Sequence, residues 1–315
     1  MVECVIFGGL LLDKYLKISQ LPIRGQDGFI TDEFNLIGGC SINMAATFNN
    51  LGGTAHIVSY VGDDQTGEQI LSYIYKHDFS TKYIKQKFGN TGYCLVLLEP
   101  DGERTFLTKT GMELDFSKDI IGDDLKGIDY AAVTGYFLLN KSANKIMDVL
   151  EEFSKRGGYI LFDPSPLVNE IDNEILSRVL EISNIITPNA SELVSITKDK
   201  NITMDQWIDE FIQSDKIIIK KEGNRGGTVF QKSGNFNYEA ILTEPVDTTG
   251  AGDSFSAGIL YGLAMGLSMK QAVSLGSHTA AVSVGINGPH GFWEPNISIK
   301  EILSNNHCDG GKSFE

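Results

Sequence analysis

Seven consecutive residues, Asp247-Thr248-Thr249-Gly250-Ala251-Gly252-Asp253, combine what is needed to handle a phosphate. Glycine at 250 and 252 lets the chain turn tightly into a helix. Main-chain N–H groups then converge on one spot, where the helix dipole adds positive potential. That is an anion site, and Ala251 between the glycines keeps side-chain bulk away from it. Asp253 at the helix start has two roles open to it. It caps the helix, or it takes a proton from a hydroxyl that attacks a bound phosphorus atom.

Four weaker constellations could serve the same chemistry, and each has a plainer alternative. Gly38-Gly39 opens the stretch Cys40-Ser41-Ile42-Asn43. Paired glycines let a ligand approach the backbone, and Asn43, one turn into a helix, offers a donor and an acceptor to a polyol. The alternative is a turn followed by a surface Asn. Asp13, just past the first strand, can accept from two neighbouring hydroxyls of a sugar, or it is a turn residue. Asn189 and Glu192, after Pro188, share a face at a helix N-terminus. Glu192 can hold a magnesium-bound water, or the pair is a helix cap with an acid in the first turn. Finally, Lys221-Glu222-Gly223-Asn224-Arg225-Gly226-Gly227 follows an apolar run. A glycine turn at the carboxyl end of a parallel strand is where ligands bind in such sheets, and a simple hairpin turn explains the glycines equally well.

Other chemistries lack a basis. Gly310-Gly311-Lys312-Ser313 ends like a P-loop, but position 306 is Asn306 and no helix length follows. Gly8-Gly9 lacks the third glycine of a dinucleotide fingerprint. The five histidines are scattered, which leaves no metal cluster or Ser–His triad to assemble.

These groups need a scaffold to bring them together. Lys plus Arg number 26 against 41 Asp plus Glu, a net charge of −15, which argues against a nucleic-acid partner. No apolar run reaches the roughly 18 residues that span a bilayer, so no membrane partner is expected, and the start of the chain has no secretory pattern. Cys4, Cys40, Cys94 and Cys308 form no C-x-x-C pair or disulfide framework, which points to a reducing cytoplasm. Short apolar runs at 2–7, 55–61, 130–134, 159–163, 184–187 and 216–220 alternate with helical stretches such as 41–51, 66–76, 143–155 and 174–181. That rhythm predicts α/β crossover units and a parallel sheet with helices on both faces. Residues 13–37 and 90–112 read instead as β-rich insertions of short antiparallel strands, the second around the turn Pro100-Asp101-Gly102-Glu103. Two insertions of one type can form one small sheet in space. Small residues dominate 253–266 and 269–284.

Taken together, these residues resemble the ribokinase-like (PfkB-type) carbohydrate kinases over roughly residues 2–300. Gly38-Gly39 with Asn43, Ala45, Gly53 and Gly62 is similar to the family's first signature, and 247–253 is similar to its second. The Asn189-x-x-Glu192 pair and the 223–227 turn fall between them in family order. The resemblance implies a three-layer α/β/α domain with a mostly parallel central sheet. Residues 1–12, 38–89 and 113–305 would form that domain, 13–37 and 90–112 a β-sheet lid, and 306–315 a tail. It implies Asp253 as catalytic base and Gly250, Ala251 and Gly252 as anion hole. It implies Asp13, Gly38, Gly39 and Asn43 as sugar-binding positions. Asn189, Glu192, Lys221, Gly223 and Gly226 would serve ATP and Mg²⁺, with Glu192 acting through water. In several relatives a monovalent cation lies behind the anion hole, at positions like Asp247 and Thr249, with its remaining half around Gly285 to Pro289.

The expected activity is transfer of the γ-phosphoryl group of ATP to a sugar hydroxyl, in a homodimer paired through the lid. Two features depart from relatives. Phe162-Asp163-Pro164-Ser165-Pro166 lacks the Asn-x-Arg common in fructokinases, and Lys109-Thr110-Gly111-Met112-Glu113 stands where Gly-Ala-Asn is frequent. Both leave the substrate open. Tyr15, Phe34, Tyr93 and Phe106 could stack on a base in a nucleoside kinase, although a folded lid needs such apolar residues in any case. Arg24, Arg104 and Lys109 are candidates for the cationic pocket a phosphosugar kinase needs, with scattered surface charge as the default reading. A non-catalytic sugar-binding or regulatory protein is the alternative from another class.

Overall fold

Runs such as Cys4-Val5-Ile6-Phe7 and Ile160-Leu161-Phe162 are apolar at every position, and all seven residues are buried. Only a strand covered on both faces hides successive side chains, because they alternate across the sheet. The computed structural model describes residues 2–121, 125–198, 202–286 and 288. The expected tail 306–315, the end of the large domain up to 305, and Asn287 and Pro289 of the stretch 285–289 lie outside the described residues.

Among the described residues the chain runs β1 (Glu3–Phe7), β2 (Leu11–Ile18), β3 (Ile30–Gly38), α1 (Cys40–Asn50), β4 (Thr54–Gly62), α2 (Gln65–Lys76), β5 (Ile84–Lys87), β6 (Tyr93–Leu98), β7 (Arg104–Lys109), β8 (Tyr130–Thr134), α3 (Gly135–Leu138), α4 (Ala143–Lys155), β9 (Tyr159–Asp163), α5 (Asn173–Ile182), β10 (Ile185–Ile186), α6 (Ala190–Thr197), α7 (Met204–Gln213), β11 (Ile217–Lys221), β12 (Gly227–Phe230), β13 (Phe236–Tyr238), α8 (Ala251–Ala264) and α9 (Met269–Val284). The large sheet has the order β13-β12-β11-β10-β9-β8-β1-β4-β5. All its pairings are parallel except those of β12 with β11 and β13.

Two cores lie on its two faces. Val5 and Phe7 of β1 point into a cluster with Leu150 of α4, Val179 of α5, Leu193 of α6 and Phe211 of α7. Cys4 and Ile6 point the other way, to Ile42 of α1, Ile70 of α2, Ile259 of α8 and Val273 of α9. The expected three-layer α/β/α architecture is therefore present. The small-residue stretches have a packing reason. A Cβ on Gly258 of α8 would lie 2.9 Å from the Gly276 Cα of α9, and the Thr279 hydroxyl donates to Ser254 O at 2.7 Å. Small residues let α9 press against α8 and hold its first turn in place.

The small sheet has the order β3-β2-β6-β7. It differs from the all-antiparallel expectation, because β2 and β6 run parallel. Each insertion is a hairpin whose outgoing strand comes first. Setting the two outgoing strands side by side makes them parallel. The pleat then sorts the sheet's side chains. Asp13, Tyr15, Phe34, Leu36, Cys94, Val96 and Phe106 share one face, and Lys14, Asn35, Tyr93 and Lys109 share the other.

Candidate active site

The site forms at the carboxyl ends of the parallel strands, the edge where open α/β sheets bind ligands. Its floor is the start of α8. Gly250 takes φ +76° as the residue before the helix, a conformation costly for any residue with a Cβ, and no side chain caps this end. Ala251 N–H turns back to Thr248 O at 3.3 Å, which closes the turn. The N–H groups of Gly250 and Gly252 have no hydrogen-bond partner among the described residues. The N–H groups left free to meet an anion at this turn therefore include those of Gly250 and Gly252, while that of Ala251 is engaged in closing it. The Lys221 ammonium stands 3.5 Å from where a Cβ on Gly252 would sit.

Asp253 does not cap the helix, because the capping position belongs to Gly250. Its Oδ2 accepts from Asn43 Nδ2 at 2.8 Å. Burial pushes its carboxyl up to about 7, with Asp163 adding to the shift, while Asn43, Lys221 and the Cys40 thiol pull it down. Asn43 is no surface residue. It is buried on α1, where Thr47 also reaches across to the Ser254 hydroxyl at 3.0 Å.

Asp13 is not in a turn. It lies in β2 with its side chain buried, and burial, then Asp253, then Asp247 raise it to about 7. Gly38 makes room for it. A Cβ there would fall 2.1 Å from Asp13 Oδ2. Gly39 has φ +105°, and a Cβ on it would meet Gly9 O at 2.3 Å. Gly39 is thus demanded by the backbone that joins β3 to α1, and Gly38 by the Asp13 carboxyl packed against it.

A second cluster lies at the ends of β9 and β11. Asp163 Oδ2 accepts from Lys221 Nζ at 2.8 Å and from the hydroxyls of Thr187 and Ser256 at 3.1 Å each. Burial opposes the Lys221 charge, but Asp163 and Glu192 outweigh it, so its ammonium is held above the usual range. Lys221 N donates to Pro188 O at 2.8 Å, which sets the start of α6 beside the 223–226 turn. Here the plainer features are present, and they leave the ligand roles open. Asn189 and Glu192 form a reciprocal capping box, and both Glu192 oxygens accept from Asn189 at 2.8 Å. Gly223 and Gly226 turn the chain from β11 into antiparallel β12 at φ +61° and +82°.

Two ions implied by the resemblance can be tested against these donors. Each Glu192 oxygen keeps lone pairs beyond its cap bond; burial raises its carboxyl, the Lys221 ammonium works against that, and Asp163 lies near enough to add to it. Oxygen donors with few direct ligands suit magnesium held through water. The monovalent cation fits poorly. Asp247 Oδ1 already accepts Thr249 N–H at 2.8 Å and Arg104 Nη2 at 2.8 Å.

The structure thus brings Asp13, Gly38, Gly39, Asn43, Gly250, Gly252 and Asp253 to one place, with Lys221 adjoining. It does not gather the three candidate cations there, in keeping with the default reading of scattered charge. Lys109 lies with Lys14 over the Tyr93 ring on the opposite lid face, Arg24 is exposed, and Arg104 is paired with Asp247. Tyr93 likewise leaves the set of base-stacking aromatics. Sequence reasoning missed Asp163 and Cys40 as site residues. A carboxylate ending a parallel strand was a readable signal for Asp163, and none pointed to Cys40.

Comparison with known proteins gives one answer. The pfkB family carbohydrate kinase profile matches residues 33–294. An Escherichia coli (strain K12) protein described as uncharacterized sugar kinase YegV is 28% identical over 291 residues, covering 90% of this chain and 89% of its own. A nucleoside kinase of Burkholderia thailandensis in complex with inosine superposes with TM-score 0.81 at 21% identity, over 96% of this chain and 97% of its own. A ribokinase from Thermotoga maritima gives TM-score 0.81 at 22% identity, over 97% and 100%.

Asp13 carries a pH signature independent of turnover. Its folded value near 7 exceeds the ordinary 3.8, so the folded chain keeps a proton that the unfolded chain has lost. Stability from this group therefore falls as pH rises from about 4 to about 7. Asp13→Asn removes that loss. The variant should melt above the wild type at about pH 8 and beside it at about pH 4, and parallel melting curves would refute the assignment.

Proposed function

The chain belongs to the pfkB family of carbohydrate kinases, and from that premise we propose that it transfers the γ-phosphoryl group of ATP to a hydroxyl of a neutral sugar. The observation that carries this reading is the pairing of Asp253, oriented by Asn43, with the free N–H groups that begin its own helix. Asp13 accepts from one sugar hydroxyl and orients the acceptor. Asp253 takes the proton of the attacking hydroxyl, whose oxygen bonds to the γ-phosphorus as the bond to ADP breaks. Charge on the phosphoryl oxygens meets the N–H groups of Gly250 and Gly252, the α8 dipole and the Lys221 ammonium. Glu192, with Asp163 nearby, would hold magnesium through water, and that ion supplies neutralisation along the phosphate chain. The lid places Asp13 over the site and excludes water, an unwanted acceptor.

Neutrality of the acceptor follows from charge. The carboxylates of Asp13 and Asp253 face the acceptor position, while Lys14 and Lys109 lie on the far lid face. A phosphate placed ~4 Å from one carboxylate is opposed by ~1–4 kcal/mol per unit charge, or about 5- to 1000-fold in binding. A second neutral class has its own support. Phe34 and Phe106 are 38% and 51% exposed on the lid face that carries Asp13, and such rings can stack on a nucleoside base.

An ADP-release assay across neutral sugars, nucleosides and sugar phosphates tests both readings. Sugars are expected to be fastest. Faster turnover of nucleosides would transfer the assignment to the second class, and a preference for sugar phosphates would overturn both. Asp253→Asn should lower kcat by about 10²–10⁴-fold with acceptor binding retained. In the wild type, kcat/KM should fall below about pH 7, because Asp253 must be ionised to accept the proton. Full turnover in the Asn variant would remove Asp253 from its role.

Gly252→Ala separates the anion turn from the fold. Its new methyl would meet nothing closer than Lys221 Nζ at 3.5 Å. Alanine also favours a helix over glycine by about 1 kcal/mol. The melting temperature should hold or rise while kcat falls, since the methyl occupies the space an anion needs. Unchanged kcat would show that phosphate binds elsewhere.

A further inference from the structure

Asp247 precedes the anion turn, is 9% exposed at its side chain, and lies far in sequence from its cationic partner. That partner comes from the lid. Arg104, the first residue of β7, is itself 11% exposed. Its Nη2 is 2.8 Å from Asp247 Oδ1, and its Nη1 donates to Gly102 O at 3.0 Å and Thr248 Oγ1 at 3.3 Å. The same Asp247 oxygen accepts Thr249 N–H at 2.8 Å, the contact that leads into Gly250 at φ +76°. On its other side the loop is tied to α9, where Val284 O accepts from Val246 N at 2.9 Å and Asp247 N at 3.1 Å. Among the described residues the loop therefore has two anchors, and the anchor from the lid carries the countercharge.

Resting on the function proposed above, we propose that Arg104 is a positioning residue. From the lid it holds the Asp247–Thr249 loop, and through it the anion turn, by an ion pair that takes the place of a monovalent cation. A desolvated carboxylate needs a countercharge. A guanidinium supplies it with directed N–H bonds. A second cation on Asp247 Oδ1 would sit against that guanidinium and be repelled. The loop is then set only while the lid hairpin is in place, so closing over the acceptor and shaping the phosphoryl site become one event. Removal of the guanidinium reopens an oxygen-lined position. Thr249 Oγ1 is buried beside the Tyr15 hydroxyl and offers that position a further oxygen. Hard cations favour such oxygens.

The test uses the full chain in KCl and in tetramethylammonium chloride of equal ionic strength. Wild-type melting temperature and kcat should be the same in both salts. Arg104→Gln should lower kcat about tenfold or more at saturating substrates, the scale of one lost charge-assisted hydrogen bond, with a smaller change in acceptor KM. It should also gain a potassium-specific rise in melting temperature and recover part of its kcat in potassium. Arg104→Lys, which keeps the charge without the fork, should fall between wild type and Gln. A potassium-specific melting shift or a large potassium stimulation in the wild type would overturn the proposal. So would an Arg104→Gln variant with intact kcat. If no acceptor supports turnover in any variant, the function proposed above fails, and the melting arm alone still decides whether Arg104 stands in for a cation.

Discussion

A carboxylate and a phosphoryl group repel each other, and this fold keeps them side by side. Asp253 stands three residues into a helix whose N–H groups attract anions. The conflict is eased from three directions. Burial lifts the Asp253 carboxyl to about 7, so its charge is marginal at neutral pH. Asn43 fixes its direction with a 2.8 Å bond. The Lys221 ammonium, tied to Asp163, adds positive charge beside the turn. Desolvation is the largest of these effects on the acid, and it depends on α1, α8 and α9 packing closely enough to exclude water. The small residues of α8 and α9 are what permit that packing.

The lid takes part in the same electrostatics. Asp13 sits on its inner face and is raised by burial and by the acids beneath it. Arg104 crosses from the lid edge to Asp247. One small sheet thus supplies an acceptor for substrate hydroxyls and a countercharge for the loop below. Its pleat also sends Lys14 and Lys109 to the other face, over Tyr93, and leaves the inner face acidic and aromatic.

Much of the architecture could be read along the chain, because buried strands and amphipathic helices announce themselves by local period. The expected helix 143–155 and strands 130–134 and 159–163 coincide with α4, β8 and β9. Other elements were harder. β5 has exposed residues at its centre and shows no strong pattern, while the expected strand 184–187 shortens to the two residues of β10. α7 went unremarked although Thr203 and Gln206 form a capping box and Trp207, Ile208, Phe211 and Ile212 line one face. At the site, local pattern could not separate a cap from a base. Asp253 and Glu192 both follow a helix start. The first faces Asn43 across to another helix, and the second bonds back to its own cap.

The sequence by itself determined the alternation of strand and helix, the glycine turn at 250–252 and the absence of a histidine or cysteine framework, since these rest on neighbours along the chain. Only the tertiary structure decided which acids are desolvated, that Arg104 pairs with Asp247, that Asp163 holds Lys221, and which lid face each lysine takes. Those outcomes depend on groups up to 210 residues apart in the chain. Charge and burial act through space, and no local spacing carries that information.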